Sequence, residues 1–146
     1  MAKRKRTTSD RPRWLYRLKN YKRAFKLLSA AIALYEEREL SSLEEEGVIQ
    51  RFEYTWELAW KLLADILDAD GATPAERTPR AIIRAAFKAK LISKADDWMD
   101  ALDARNRMSH TYDESEFEAV IEEVQTTYLG LFAALHKFAL KREAAL

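Results

Sequence analysis

An arginine, a histidine and a tyrosine fall within eight positions of this chain, in a segment that begins at Arg105 and ends at Tyr112. The planar guanidinium of an arginine can hold a phosphate through a fork of N–H donors. Histidine is the side chain best suited to proton transfer near neutral pH, and His110 is one of only two histidines. A tyrosine hydroxyl can be hydrogen-bonded, deprotonated or modified. This segment is therefore the candidate reactive site of the chain.

The spacing of these residues decides which of them can meet. On one continuous helix Arg105, Ser109 and Tyr112 share a face, at positions i, i+4 and i+7. His110 then points about 140° away from Arg105, because an α-helix has about 3.6 residues per turn. A helix break near Tyr112 would allow His110 and Tyr112 to turn into the same cleft as the Arg105 side chain.

The residues by themselves also leave a purely structural interpretation open. An arginine near a histidine on a helix is usually an exposed ion-pair partner, and composition alone favours that reading. Met108 and Trp98 are expected in the core rather than at a ligand. His136 is assigned a structural role, since it lies beside Lys137 on a regular helix. Two isolated histidines lack the spacing of metal ligands, so no metal site is expected in this chain.

Composition favours one helical domain. The 146 residues fit a single sizeable core, and 48% hydrophobic with 34% charged residues is typical of an ordered globular protein. Three glycines and three prolines are too few for a turn-rich β fold, and without cysteine there is no disulfide or thiol chemistry. No apolar run could span a membrane and no secretory signal is present, so we expect a cytoplasmic protein.

The charge is distributed unevenly, which suggests two parts. Residues 1–13 contain six basic residues and one acidic residue, so they carry +5, and the remaining residues carry −4. We predict that residues 1–13 form a flexible basic arm and that residues 14–146 form a single domain. Such an arm can attract nucleic acid. A solvated tail is the favoured interpretation, because no aromatic residue interleaves with the charges before Trp14.

Two long helices are predicted first. Apolar residues spaced alternately by four and three positions indicate one face of a helix; they are Trp14, Leu18, Tyr21, Phe25, Leu28, Ile32 and Tyr35. This pattern ends near Leu40. A capping box of Ser42 and Glu45 then predicts the start of a second helix, which stops at Gly71. Its apolar stripe comprises Ile49, Phe52, Trp56, Ala59, Leu63 and Ile66. The two helices are expected to form an elongated antiparallel pair.

Three further helices complete an all-α antiparallel bundle of about five helices, three long and two short. Thr78 and Pro79 predict the start of a short third helix. Ser93 could cap a fourth, which leads into the reactive segment. Asp113 resembles the cap of the fifth, whose stripe comprises Phe117, Ile121, Val124, Tyr128, Leu131, Leu135 and Phe138. We find no convincing strand in the sequence.

The segment Arg105–Tyr112 resembles the R-x4-H-x-Y motif of HEPN-domain proteins, which are small all-helical proteins often encoded beside a minimal nucleotidyltransferase. The segments Phe52–Lys61, Pro79–Phe87 and Asp97–Glu114 are similar to the branch labelled nucleotidyltransferase substrate-binding proteins. The resemblance covers roughly residues 14–140 and leaves the basic arm outside it. It implies a HEPN-like bundle.

The resemblance also implies an activity, that of a metal-independent ribonuclease toxin of a HEPN/MNT toxin–antitoxin pair. In active members the motif arginine and histidine cut RNA, and a homodimer brings two motifs together. Arg105 would then neutralise charge on the phosphate, and His110 would act as general base or acid, each role contributing about 10²–10⁴ in rate. Asn106 and Ser109 would support them.

Control by a partner follows from the same resemblance. The partner nucleotidyltransferase, the antitoxin, would transfer AMP to the motif tyrosine, Tyr112, with ATP and Mg²⁺ held by the partner and no cofactor in this chain. The alternative is a non-catalytic substrate-binding subunit of a minimal nucleotidyltransferase, and a third option is a structural adaptor. The intact set of Arg105, His110 and Tyr112 favours the enzyme. RNA and a second copy of the chain are then the other expected partners, with no role for a membrane.

Overall fold

The computed structural model describes residues 11–110 and 113–146, and all regular structure in these ranges is helical. The α-helices are α1 (Trp14–Glu37), α2 (Ser42–Ala69), α3 (Pro79–Lys88), α4 (Ala95–His110), α5 (Glu114–Glu123) and α6 (Leu129–Ala144). A π-helical turn, Val124–Tyr128, joins α5 directly to α6, so these three elements form one continuous rod. The rod is the fifth predicted helix, and the predicted all-α bundle is confirmed.

Helices α1 and α2 form the predicted antiparallel pair. Near one end, Arg17 of α1 donates from Nε to the buried Asp65 carboxylate of α2 at 2.9 Å. Near the other end, Arg51 of α2 donates to the Leu27 carbonyl of α1 at 2.8 Å. The partners run in opposite order along the two helices, which establishes the antiparallel arrangement. Within the described ranges, no helix has both the length and the apolar character needed to cross a membrane.

The start of α2 lies one residue earlier than the predicted capping box. Ser41, not Ser42, is the N-cap: its hydroxyl accepts from the Glu44 N–H at 3.2 Å, and the Glu44 carboxylate accepts from the Ser41 N–H at 2.9 Å. Both serines have a glutamate three positions later, so the pattern alone cannot choose between them. Arg38 favours Ser41, because it binds Glu44 at 2.9 Å and lowers the pKa of that carboxyl to about 2.

The other predicted helix boundaries are largely confirmed. Gly71, with a φ of 68°, follows the last turn of α2 in the left-handed conformation that favours glycine. The side chains of Thr78 and Asp113 cap α3 and α5. The fourth helix begins one residue later than a cap at Ser93 requires, and Lys94, with a φ of 57°, occupies the position before it. The local signals therefore fix the starts of α2 to α5 to within a residue, whereas α1 ends at Glu37, before the predicted Leu40.

Aromatic side chains from α1, α2, α4 and the rod pack together in one core. The Phe132 ring lies 6.2 Å from that of Phe52 and 5.8 Å from that of Trp98, measured between centroids. Phe52 also stacks on Tyr128 at 5.7 Å. The buried Tyr21 hydroxyl donates to the Phe132 carbonyl at 2.7 Å. This packing fixes α4, the helix that carries the candidate reactive segment, against α2 and the rod.

The buried residues of the rod follow most of the predicted stripe on both sides of the π turn. Up to the end of the turn they are Phe117, Val120, Ile121, Val124 and Tyr128, and beyond it they are Leu131, Phe132, Leu135 and Ala139. The predicted Phe138 is only partly buried. The regular spacing of four and three thus predicted the buried face, but it did not reveal the π turn itself.

Candidate active site

Helix α4 presents the reactive segment on two different faces. Its buried face comprises Trp98, Ala101, Leu102, Ala104 and Met108. Trp98 and Met108 are 1% and 5% exposed, which confirms that they belong to the core. The helix continues without a break through His110, so Arg105 and His110 diverge as expected for a continuous helix. The two candidate catalytic side chains of one chain therefore do not turn toward each other.

The first face is bound to α2 by two glutamates. Arg105 donates from Nη2 to the Glu57 carboxylate at 3.1 Å, and the Ser109 hydroxyl donates to the Glu53 carboxylate at 3.0 Å. In each helix the two partners are four residues apart, which places them one turn apart on one face. The pairs therefore join α2 and α4 in a fixed register, and the predicted common face of Arg105 and Ser109 is present.

The Arg105 guanidinium is only partly satisfied by its neighbours. Its Nη1 contacts the Asn106 side-chain oxygen at 3.3 Å. Its Nε is buried and has no hydrogen-bond acceptor among the described residues. The Glu57 carboxylate is shared with Lys61, at 3.3 Å. An unsatisfied buried donor costs about 1–3 kcal/mol, but an incoming phosphate oxygen could reach this buried N–H only after the side chain moves.

The second face of α4 borders a shallow, open groove that contains the histidine. The groove is lined by Asp103, Asn106, Arg107, His110 and Glu116. Asn106 and His110 are exposed and lie one helical turn apart, so both can reach a ligand in the groove. An exposed imidazole beside an amide is suited to proton transfer with an amide to orient the substrate.

Arg107 also lines this groove and contacts a carboxylate of the rod. Its Nη2 lies 3.8 Å from the Glu123 carboxylate, which also accepts from the Tyr128 hydroxyl at 3.2 Å. Burial, followed by the neighbouring Glu123 charge, raises the pKa of Tyr128, so this hydroxyl remains protonated and donates to the carboxylate. On the other side of the groove, Asp103 is paired with Arg80 at 3.3 Å.

Sequence reasoning missed Glu53, Glu57 and Arg107. A signal was available for the two glutamates, because their spacing of four matches that of Arg105 and Ser109. No comparable signal identified Arg107, since its ion pair with Glu123 depends on how α4 packs against the rod, which no local pattern specifies.

Two predictions fall on residues outside the described ranges. Tyr112 is one of the two residues between His110, the last residue of α4, and Asp113, the cap of α5. The part of the basic arm that covers residues 1–10 also lies outside these ranges.

The second histidine has a structural environment. The His136 ring lies 5.1 Å from that of Phe25, and burial together with the Lys22 charge lowers the pKa of the imidazole. Over residues 11–110 and 113–146, no three histidine or carboxylate side chains form a group suited to a metal ion. His110 is therefore the histidine with access to a ligand.

A helical bundle with R-x4-H at the end of its fourth helix is the arrangement of a HEPN-domain protein. A family model described as nucleotidyltransferase substrate binding protein like matches residues 16–141, and the chain belongs to this family. The match covers the bundle and the whole reactive segment.

Individual relatives agree with this assignment. A probable ribonuclease HepT from Haemophilus influenzae is 32% identical over 81 residues, 53% of this chain and 56% of the relative. The aligned stretch thus spans about half the length of that curated relative. A solved structure from the same species, described as the fold of a substrate binding domain of a nucleotidyltransferase, is 25% identical with a TM-score of 0.74, over 83% of this chain and 97% of that one.

A third relative shows the fold. The Shewanella oneidensis HEPN toxin, solved as a tri-AMPylated protein in complex with an MNT antitoxin, has a TM-score of 0.70 over 88% of this chain and 96% of that one. At 15% identity this similarity establishes the HEPN-like bundle.

Proposed function

We propose that the chain is a metal-independent ribonuclease toxin of a HEPN/MNT pair, and that a partner nucleotidyltransferase silences it by transferring AMP to Tyr112. One observation carries the proposal: His110 lies exposed in an open groove beside Asn106, while the partly exposed Arg105 side chain lies on the adjoining face of α4. The relative named as a probable ribonuclease supports the same reaction class.

The chemistry needs a base, an acid and a positive charge. His110 takes the proton of a ribose 2′-hydroxyl, whose oxygen attacks the adjacent phosphorus. The phosphorus–O5′ bond breaks, which leaves a 2′,3′-cyclic phosphate, and the departing O5′ must receive a proton. Arg105 stabilises the negative charge that develops on the phosphate oxygens. General acid and base catalysis each contribute about 10²–10⁴ in rate.

The divergence of the two faces favours a site shared by two chains. One His110 cannot readily act as base and acid in the same step, and Arg105 of its own chain points toward α2. A two-fold dimer would supply a second histidine and a second arginine across the open groove. The proposed homodimer thereby completes a site that one chain leaves incomplete.

The proposed control acts through charge and space. Tyr112 follows His110 by two residues, so an AMP group attached to its hydroxyl would bring an anionic phosphate beside the histidine. That phosphate would fill the groove and, in the proposed dimer, would compete with RNA for Arg105 of the partner subunit. ATP and Mg²⁺ would be bound by the partner, which activates the tyrosine for transfer.

The decisive experiment compares the two histidines. Purified wild type should cut RNA in the presence of a chelator, and His110→Ala should lose this activity. His136→Ala is the matched control, because His136 lies against Phe25 away from the groove, and it should cut at the wild-type rate. Full cleavage by His110→Ala would overturn the catalytic role of His110. A wild type that cuts no RNA would overturn the ribonuclease proposal.

The second candidate is a non-catalytic substrate-binding subunit of a minimal nucleotidyltransferase. The ion pair between Arg105 and Glu57 favours it, since an arginine held by a carboxylate is less available to a phosphate. The solved structure described as a substrate binding domain agrees with this alternative. It predicts no cleavage by wild type, and nucleotidyl transfer to a third molecule only when the chain is present.

A further inference from the structure

We infer that Arg107 is a second phosphate-binding residue, which holds the backbone of the RNA strand that occupies the His110 groove. The inference rests on the proposed function, because it takes RNA as the occupant of the groove. It adds a residue that the R-x4-H-x-Y pattern does not include.

The position of Arg107 supports this role. Arg107 precedes His110 by three residues, so the two side chains lie on one face of α4 and both line the groove. Arg105, in contrast, is directed at Glu57 on the α2 side. Arg107 is therefore the guanidinium that the reactive segment presents on the same face as the histidine.

The contact of Arg107 with Glu123 is weak and leaves its donors available. The Glu123 carboxylate lies 3.8 Å from Nη2, beyond hydrogen-bond distance, and the Arg107 side chain is 57% exposed. A guanidinium has five N–H donors, so most of them remain available to a phosphate. The Tyr128 hydroxyl fixes Glu123 from behind at 3.2 Å, across the π turn. The Glu123 carboxylate beside Arg107 is therefore itself fixed in position by Tyr128.

Arg107 offsets the negative charge of carboxylates in the groove. Its lining includes two carboxylates, Asp103 and Glu116. Arg80 neutralises Asp103, whereas Glu116 is exposed and has no ion pair within the described part of the chain. Without Arg107 the groove would present carboxylates to a polyanion. With Arg107 it offers a positive group about one helical turn from His110.

The test measures RNA binding in a His110→Ala background, so that the RNA stays intact. Arg107→Ala should bind single-stranded RNA about tenfold more weakly at low salt, the loss expected for one charge-assisted contact. The slope of log affinity against log salt should fall by about 0.7, the value for one phosphate contact on a single strand. Arg23→Ala is the control, since Arg23 is an exposed arginine of α1 with no ion pair in the described ranges. It should retain the affinity and the slope.

Kinetics separate binding from chemistry. In the otherwise wild-type protein, Arg107→Ala should raise KM while kcat is largely retained, and Arg107→Lys should recover part of the loss. Equal affinity and slope for Arg107→Ala and Arg23→Ala would overturn the inference. If the protein binds RNA through Arg107 but wild type cuts none, the ribonuclease proposal fails and the role of Arg107 stands. An absence of any RNA binding overturns both.

Discussion

Arg105 on α4 and Glu57 on α2 form an ion pair of 3.1 Å in which both side chains are about one-third exposed, at 31% and 30%. The pair connects the reactive segment to the tryptophan-containing helix that precedes it by some fifty residues. Together with the bond between Ser109 and Glu53, it sets the height and rotation of α4 against α2. The orientation of the motif arginine is thus a property of two helices rather than of one segment.

Glu57→Gln should lower both KM and kcat for RNA. Loss of the carboxylate removes a negative charge that competes with phosphate for Arg105, which strengthens RNA binding. It also removes the fixed orientation of Arg105, which slows the chemical step. Stability should change by no more than about 1 kcal/mol, because the pair is partly exposed. Steady-state kinetics would check this, with Glu46→Gln, an exposed glutamate of the same helix, as the control. A raised KM would contradict the proposed competition.

A mixture of two inactive variants should regain ribonuclease activity. Arg105→Ala and His110→Ala should each be severely impaired alone. If the site takes Arg105 from one chain and His110 from its partner, about half of the dimers in an equimolar mixture pair the two variants, and each of these contains one intact pair. Co-refolded or co-expressed mixtures should therefore cut RNA, although more slowly than wild type because each mixed dimer has one His110 rather than two, and light scattering should show twice the 17.0 kDa monomer mass. A monomer at micromolar concentration, or a mixture as inactive as its components, would rule out the shared site.

Co-expression with the partner nucleotidyltransferase should add an AMP group to Tyr112. A tyrosine hydroxyl with an ordinary pKa near 10 is a poor spontaneous nucleophile, so the modification should depend on the partner, ATP and metal. Intact-mass and peptide mass spectrometry would locate it. Tyr112→Phe should lose both the added mass and the protection from toxicity. Modification of the exposed Tyr54 instead, or full protection of Tyr112→Phe, would show that another mechanism controls the protein.

Removal of residues 1–12 should affect RNA affinity only at low salt. The arm carries a net charge of +5, whereas the remainder of the chain is net negative. Long-range attraction of this kind is screened as ionic strength rises. Titrations with labelled RNA at low and high salt would measure the effect. A loss of affinity that persists at high salt would indicate that the arm makes direct contacts with the nucleic acid.

The unfolding free energy should decrease as the pH falls below about 6.5, in part because of His136. Burial and the Lys22 charge lower the pKa of this imidazole in the folded state, so the unfolded state binds the proton more readily. The contribution is present above the unfolded pKa and is lost as the pH falls through it. His136→Gln should therefore show a flatter pH dependence in urea unfolding between pH 7.5 and 5.5. An unchanged slope would contradict the assignment.

The sequence was sufficient to predict the bundle, because apolar spacing and capping residues act locally. Thr78, Gly71 and Asp113 end or begin helices as predicted. The contacts of the site were less predictable. The pairing of Arg105 with Glu57 depends on how α2 and α4 meet, which no local pattern specifies. The ion pair of Arg107 with Glu123 depends on how α4 meets the rod, and the Tyr128 bond to Glu123 spans an irregular turn where the spacing predicts a regular helix.

The π-helical turn, finally, lets the two ends of one rod make two independent sets of contacts. Before the turn, α5 must place Glu123 beside Arg107; after it, α6 must place Phe132 under Tyr21 and Trp98. A regular α-helix would rotate one of these sets by about 100° for each residue of mismatch. The turn absorbs that mismatch, so Glu123 can contact Arg107 while Phe132 packs in the core. Deletion of one residue in the turn would leave a regular helix in which Glu123 and Phe132 could not both reach their partners.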